Sequence, residues 1–233
     1  KDSPFMTVQF YAAAAASLAK DSRLAIAALE RAKNTPYRQY DVYQYLCYEY
    51  GEARTAQDSV MLEKTFEEGM QVFPDSAFFL NNLINTYIYS NRNEKALEML
   101  NVAIQKNPND ANLYNVMGRV YETGLKDYAN AEKNFQIALE KDPNLTDALS
   151  NIGRIYYNQG VNKLSEANMI NDSKKYQEEL SMAKDLFKKA LPYYKKAHEA
   201  EPEKMDNMIA LRGIYYNLNM GPELEAIEAE MNK

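Results

Sequence analysis

The sequence predicts an all-α fold, a right-handed α–α superhelix of about six helical hairpins, one of them extended and projecting. Three observations predict it. Pro74, Pro108, Pro143 and Pro202 recur at intervals of 34, 35 and 59 residues. Each proline closes a phrase in which apolar or small residues stand at i, i+4 and i+7, one face of a helix. A second phrase of helical spacing lies upstream of each, so every unit reads as two antiparallel helices, a turn and a proline exit.

The phrases run in order along the chain. Ala25-x3-Leu29-x2-Ala32 is the second helix of a degenerate leading hairpin, residues 5–36. First helices follow at Tyr43-x2-Leu46-Cys47-x2-Tyr50, Leu80-x2-Leu83-Ile84-x2-Tyr87, Tyr114-x2-Met117-Gly118-x2-Tyr121 and Leu149-x2-Ile152-Gly153-x2-Tyr156. Their second helices carry Leu62-x3-Phe66-x2-Gly69, Ala96-x3-Leu100-x2-Ala103, Ala131-x3-Phe135-x2-Ala138 and Ala190-x3-Tyr194-x2-Ala197. A small residue within a phrase lets the neighbouring backbone approach, and the proline ends the helix because it has no N–H to donate. These phrases divide the chain into units 37–76, 77–110, 111–144 and 145–203. A degenerate closing unit, 204–233, contains a fainter first-helix phrase, Met208-x2-Leu211-Arg212-x2-Tyr215. Arg212 at the small site leaves two registers open there, the second placing Gly213 at that site. The last helix starts at Pro222 with acids in its first turn, and Leu224, Ile227 and Met231 share a face while glutamates fill the rest. That pattern suits a polar end cap.

One unit is longer than the others. Tyr87 and Ala96 are 9 residues apart, whereas Tyr156 and Ala190 are 34 apart, so 25 residues are inserted, near 160–185. The insert has no Pro and a single Gly. It reads as an extension of both helices, turning at Asn171-Asp172-Ser173, where Asp172 or Ser173 caps the returning helix. Some twelve residues per arm at 1.5 Å each give a projection of about 18 Å. Pro192 falls inside the returning helix and is expected to kink it.

Composition narrows the function. The 233 residues carry a net charge of −6, which argues against nucleic acid because phosphate binding needs a positive surface. Hydrophobic residues at 46% and charged residues at 26% exclude wholesale disorder. One cysteine, Cys47, excludes an internal disulfide, and one histidine, His198, excludes a multi-histidine metal site. No phosphate loop, dinucleotide fingerprint, zinc motif or EF-hand is present. No enzyme and no cofactor are therefore predicted. Cys47 sits at an inner small site and reads as a packing thiol; His198 suits a helix C-terminus. The Lys-rich stretch 174–196 is interleaved with acids and reads as a solvated helix face. The segment Pro4–Ala19 holds Thr7 and Gln9 and is too short to span a bilayer. It reads as an alanine-rich first helix, with a signal-peptide core as the alternative. Starting at Lys1 rather than Met, the chain reads as a processed or trimmed product.

Taken together, the phrases resemble the tetratricopeptide repeat, W-x2-L-G-x2-Y…A-x3-F…P over 34 residues. The match covers Tyr43 to Pro202. Tyr or Leu replaces Trp in roughly its volume, and Ile84 stands at a site that is usually small. In ALPYYKKAHEAEP and ALRGIYYNLNMG the chain is also similar to uncharacterised bacterial tetratricopeptide proteins, some of them exported. The resemblance implies a single solenoid over 1–233 whose first helices line a concave groove for a protein or peptide partner. Carried over residue by residue, the groove comprises Gln44 and Tyr48, then Asn81, Asn85, Ile88 and Tyr89. It continues with Asn115, Arg119, Glu122 and Thr123, then Ser150, Arg154, Tyr157 and Asn158; Tyr216 and Asn217 join it if the last register holds. Amides can pair with an extended backbone, tyrosines supply apolar area with a polar tip, and arginines fork a carboxylate. The groove that clamps a chaperone tail is not expected, because Asn81 replaces its Lys and Val116 its next Asn. The second reading is a scaffold that forms homodimers or docks through the projecting hairpin or the first helix, using a stripe of Phe5, Val8 and Tyr11. By the same resemblance the expected location is the bacterial periplasm or envelope, with the cytoplasm as the alternative.

Overall fold

The computed structural model describes residues 4–53 and 55–232, leaving aside the side chains of residues 4–6 and of residue 53. Among the described residues there are twelve α-helices and no strand. They are α1 Pro4–Leu18, α2 Ser22–Ala32, α3 Gln39–Ala53, α4 Ala56–Val72, α5 Ala77–Tyr89 and α6 Asn93–Lys106. After these come α7 Ala111–Arg119, α8 Tyr128–Lys141, α9 Thr146–Ala167, α10 Ser173–Ala200, α11 Met205–Asn217 and α12 Gly221–Met231.

Local chemistry sets the boundaries. Asp21, Thr55, Ser76, Asp110, Asp127 and Asp172 each accept a backbone N–H from the first turn of the helix that follows. Arg38 lies in the left-handed region with φ of 44° just before α3, and just past a helix end Lys20, Asn91, Lys126 and Asn219 do so with φ of 60°, 57°, 58° and 56°. Such a residue reverses the chain just past a helix end and lets the last carbonyls find donors. Arg92 N–H, for example, reaches back to the Tyr87 carbonyl, and Met220 N–H to that of Tyr215.

The helices fall into two compact units, one running up to Ala96 and the other from Leu97 onward. In the first, α1 packs on α2, α2 on α3, α3 on α4 and α4 on α5. Phe10, Ala13, Ile26, Leu29, Val42, Leu46 and Tyr50 form its core. Charged staples join helices two apart in sequence. Arg23 of α2 forks Asp58 of α4 at 2.6 and 2.9 Å, and Lys33, just past the end of α2, reaches Glu68 of α4 at 2.9 Å. Asp58 also closes a reciprocal cap with Thr55. The bonds from Arg23 and Thr55 hold its carboxyl down at about 2.

The phrase tyrosines have a common task. Tyr50 Oη donates to Glu30 at 2.9 Å and Tyr87 Oη donates to Glu67 at 3.2 Å, in both cases reaching the second helix of the preceding hairpin. Tyr156 Oη does the same to Glu132 in the second unit. Burial and these acidic partners push all three phenols up, Tyr87 to about 12.

In the second unit α7 packs on α8, α8 on α9, α9 on α10, α10 on α11 and α11 on α12. One core cluster contains Ala131, Phe135, Ile152 and Ile155. Another is built from Ala183, Phe187, Tyr194, Leu211, Ile214 and Ile227. Gly118 is a site of close approach: a Cβ there would stand 2.5 Å from the Phe135 ring. The inserted residues lengthen α9 to 22 residues and α10 to 28. Lys163 ties the two arms, pairing with Glu166 at 2.8 Å on its own helix and Glu179 at 3.1 Å on the other. Pro192 lies inside α10.

A smaller irregularity follows α7, where Val120–Leu125 forms a π-helical turn. Tyr121 and Ala131 are 10 residues apart, one more than the matching interval in the preceding repeat. A single extra residue in a helix is absorbed by i→i+5 bonding. This is why the interval between prolines lengthens to 35 here. Glu122 is buried within that turn.

Candidate protein-binding face

In the first unit the face is carried by α3 and α5. Tyr48 is 58% exposed and Tyr89, the last residue of α5, is 88% exposed. Gln44, Asn81 and Asn85 are half-buried on the same two helices. Tyr45, 43% exposed, sets its ring edge-on to Phe10 with centroids 5.8 Å apart. The residue next to Asn81 behaves differently: Asn82 turns its amide back to the Phe78 carbonyl at 2.8 Å.

In the second unit the first helices α7 and α9 meet through a polar seam. Asn151 Nδ2 donates to Asn115 Oδ1 at 2.9 Å, and both side chains are buried. Arg154 then donates to Asn151 Oδ1 at 2.9 Å and forks Glu122 at 3.1 and 2.6 Å. The Arg154 side chain remains 45% exposed. Ser150 Oγ donates to Asn207 Oδ1 of α11 at 2.9 Å. Arg119, half-buried, ends α7, and Asn158 is exposed on α9. Tyr216 of α11 is 71% exposed, while Asn217 turns its amide to the Gly213 carbonyl.

Several residues expected in a groove are thus engaged elsewhere. Asn115 is an interhelix fastener. Tyr157 packs edge-on to Phe187, centroids 5.6 Å apart, and a Cβ at position 213 would run into its hydroxyl. Gly213 is therefore the small site that admits Tyr157, and Arg212 is exposed. Arg154 combines both roles, half tied to Glu122 and half available. The repeat pattern does not mark Asn151, which is one residue past Ser150, or Asn207, which stands just before the first site of the closing phrase. Their signal is only that a buried amide needs a polar partner on an adjacent helix, Asn115 for Asn151 and Ser150 for Asn207.

The single cysteine and the single histidine both lie within helices, Cys47 on α3 and His198 on α10. Cys47 is buried, and burial pushes its thiol up to about 12, so it stays protonated. His198 Nε2 lies 3.3 Å from Glu230 of α12. Among the described residues no group of three or more His, Cys, Asp or Glu is placed to hold a metal ion. In the first helix Val8 is 61% and Tyr11 58% exposed, whereas Phe5 of the expected stripe lies outside the described side chains.

These features define an all-α, tetratricopeptide-type helical solenoid. No protein-family model and no curated protein matches the sequence. Solved structures do. A type IV pilus biogenesis factor, PilW, is 16% identical, with 99% of this chain and 93% of PilW covered at a TM-score of 0.58. MamA from Desulfovibrio magneticus RS-1, from residue 41 to its end, is 14% identical, with 87% and 98% covered at 0.52. A further MamA structure is 18% identical, with 86% and 94% covered at 0.53. PilW and MamA are tetratricopeptide-repeat proteins, and this chain shares their fold.

Proposed function

We propose that the chain is a protein-interaction module whose first-helix faces hold a segment of a partner protein. The observation that carries this is the exposure of large aromatic side chains on these helices, Tyr48 on α3 and Tyr89 on α5, the helix that also carries the half-buried Asn81 and Asn85. Exposed tyrosines give contact area at small entropic cost, and neighbouring amides satisfy a partner's backbone. In the second unit Arg154 and Asn158 offer a half-free guanidinium and an exposed amide on α9. The reading is non-enzymatic, and the partner is a peptide or protein. Peptide-library capture tests it. Tyr48→Ala/Tyr89→Ala and Arg154→Ala/Asn158→Ala should each lose at least ten-fold in captured sequences while keeping native helicity. Capture equal to that of the parent chain by both variants would sink the proposal.

A second reading is self-association through the first hairpin. Val8, Tyr11, Leu18 and Leu24 are 61%, 58%, 87% and 60% exposed, and no acidic or basic residue stands between Phe5 and Ala19. Light scattering that finds only monomer at high concentration removes this reading. Likeness to a pilus biogenesis factor supports an envelope location. Among the described residues no helix is long and apolar enough to cross a membrane. Fractionation of the expressing cells distinguishes envelope from cytoplasm.

A further inference from the structure

The second unit contains a cleft of about 590 Å³ on a different side of α9 from Arg154 and Asn158. Its wall on α9 is Leu149 and Tyr156. At 100° per residue these lie roughly opposite Arg154 and Asn158 on the helix. The floor is completed by Leu139 of α8 and Tyr193 of α10, and Pro143 and Pro192 form the edges. The rings of Tyr156 and Tyr193 stack with centroids 6.1 Å apart and planes 28° from parallel.

Two exposed cations border this apolar floor, Lys189 and Lys196. The Lys189 ammonium stands 5.7 Å from the Tyr156 ring centroid. Lys196 donates to the Pro143 carbonyl. Neither has a carboxylate partner among the described residues, although Lys163, Lys188 and Lys204 of the same unit all do. A cation held by a ring face and another held by one neutral carbonyl keep most of their charge for an incoming anion. Being seven residues apart on α10, they are separated by about 10 Å along its axis. An extended segment spans that distance in about three residues. Pro192 lies between them and has no N–H for the Lys188 carbonyl, so an acceptor that an unbroken helix would use is left at the same edge.

We infer that this cleft binds an extended acidic segment of a partner protein, with carboxylates on Lys189 and Lys196 and an aromatic or aliphatic side chain over Tyr156 and Tyr193. The site is independent of the first-helix faces. The cleft is open to solvent, and its volume accepts two or three side chains.

The probe is a fluorescein-labelled twelve-residue peptide of Glu, Asp, Phe and Leu, followed by anisotropy against the full chain. Two controls replace its acids by Lys or its Phe and Leu by Gly and Ser. The acidic, apolar-bearing peptide should bind at least ten-fold more tightly than either control, and more weakly as salt rises. Lys189→Glu/Lys196→Glu should weaken it by ten-fold or more, with the milder Lys189→Gln/Lys196→Gln pair as a second test if charge reversal disturbs folding. Lys188→Gln, an exposed lysine of α10 paired with Asp185 and outside the lining of the cleft, should leave binding unchanged, which separates this site from general attraction between charges. Binding that does not prefer the acidic peptide, or that survives both lysine pairs in a chain of native helicity, overturns the inference. So does self-association that the lysine variants abolish, which would make a second copy of the chain the occupant.

Discussion

At the scale of single residues, the same side-chain type serves opposite ends depending on what faces it. Tyr87 is buried and donates to Glu67, whereas Tyr89, two positions on, is 88% exposed. The difference is 200° of rotation round the helix, which moves a ring from the neighbouring helix to solvent. Asp58 shows how much one carboxylate can join: it caps α4, accepts from Thr55 and forks Arg23 of α2. Its pKa of about 2 lies below the roughly 3.9 of an unfolded aspartate, so it binds fewer protons when folded. Its contribution is full above about pH 4 and is lost as pH falls towards 2. Asp58→Asn should lower the urea midpoint at pH 7. It should also flatten the loss of stability between pH 4 and 2 compared with the parent chain. Parallel pH profiles for the two proteins would show that Asp58 does not carry the effect.

At the scale of elements, the repeat tolerates additions in two ways. Twenty-five residues lengthen a hairpin, and because its arms pack on each other, Ala167 and Ala183 are buried. One residue instead becomes the π turn Val120–Leu125, which ends at Lys126 with φ of 58°. A left-handed lysine is strained by its Cβ, and glycine is not. After the larger freedom of glycine in the unfolded chain is counted, Lys126→Gly should stabilise by about 0.5–1 kcal/mol. A higher denaturation midpoint checks this, and a lower one would mean that the lysine side chain matters more than its backbone. Glu122 stands inside the π turn and Arg154 forks it, so an irregular backbone supplies the anchor for a candidate binding residue.

For the whole molecule, stability follows from neighbours. In a repeat array each helix is held mainly by those adjacent to it, so damage should stay local. Leu46 is fully buried in the first unit. Leu46→Ala should cost about 2–5 kcal/mol there. Amide exchange across 39–72 should accelerate accordingly, while α8 to α11 keep their protection. Equal acceleration at every slow amide would instead show that the two units unfold as one block.

The hairpin order, the caps and the long insertion are legible in the sequence because they rest on local rules. Period, capping side chains such as Asp172, and breakers such as Pro143 act within a few residues of themselves. The direction of each side chain round a first helix is read in the same way; Tyr48, Tyr89 and Asn158 are exposed. Periodicity gives a direction round a helix but no distance to the next helix. Only the tertiary structure decided that Asn115 meets Asn151, that Tyr157 fills the space above Gly213, and that Arg154 divides itself between Glu122 and solvent. A polar side chain pointing towards a groove is taken up by the nearest buried partner when one lies within hydrogen-bond reach, because leaving that partner unmet costs more than losing contact with water.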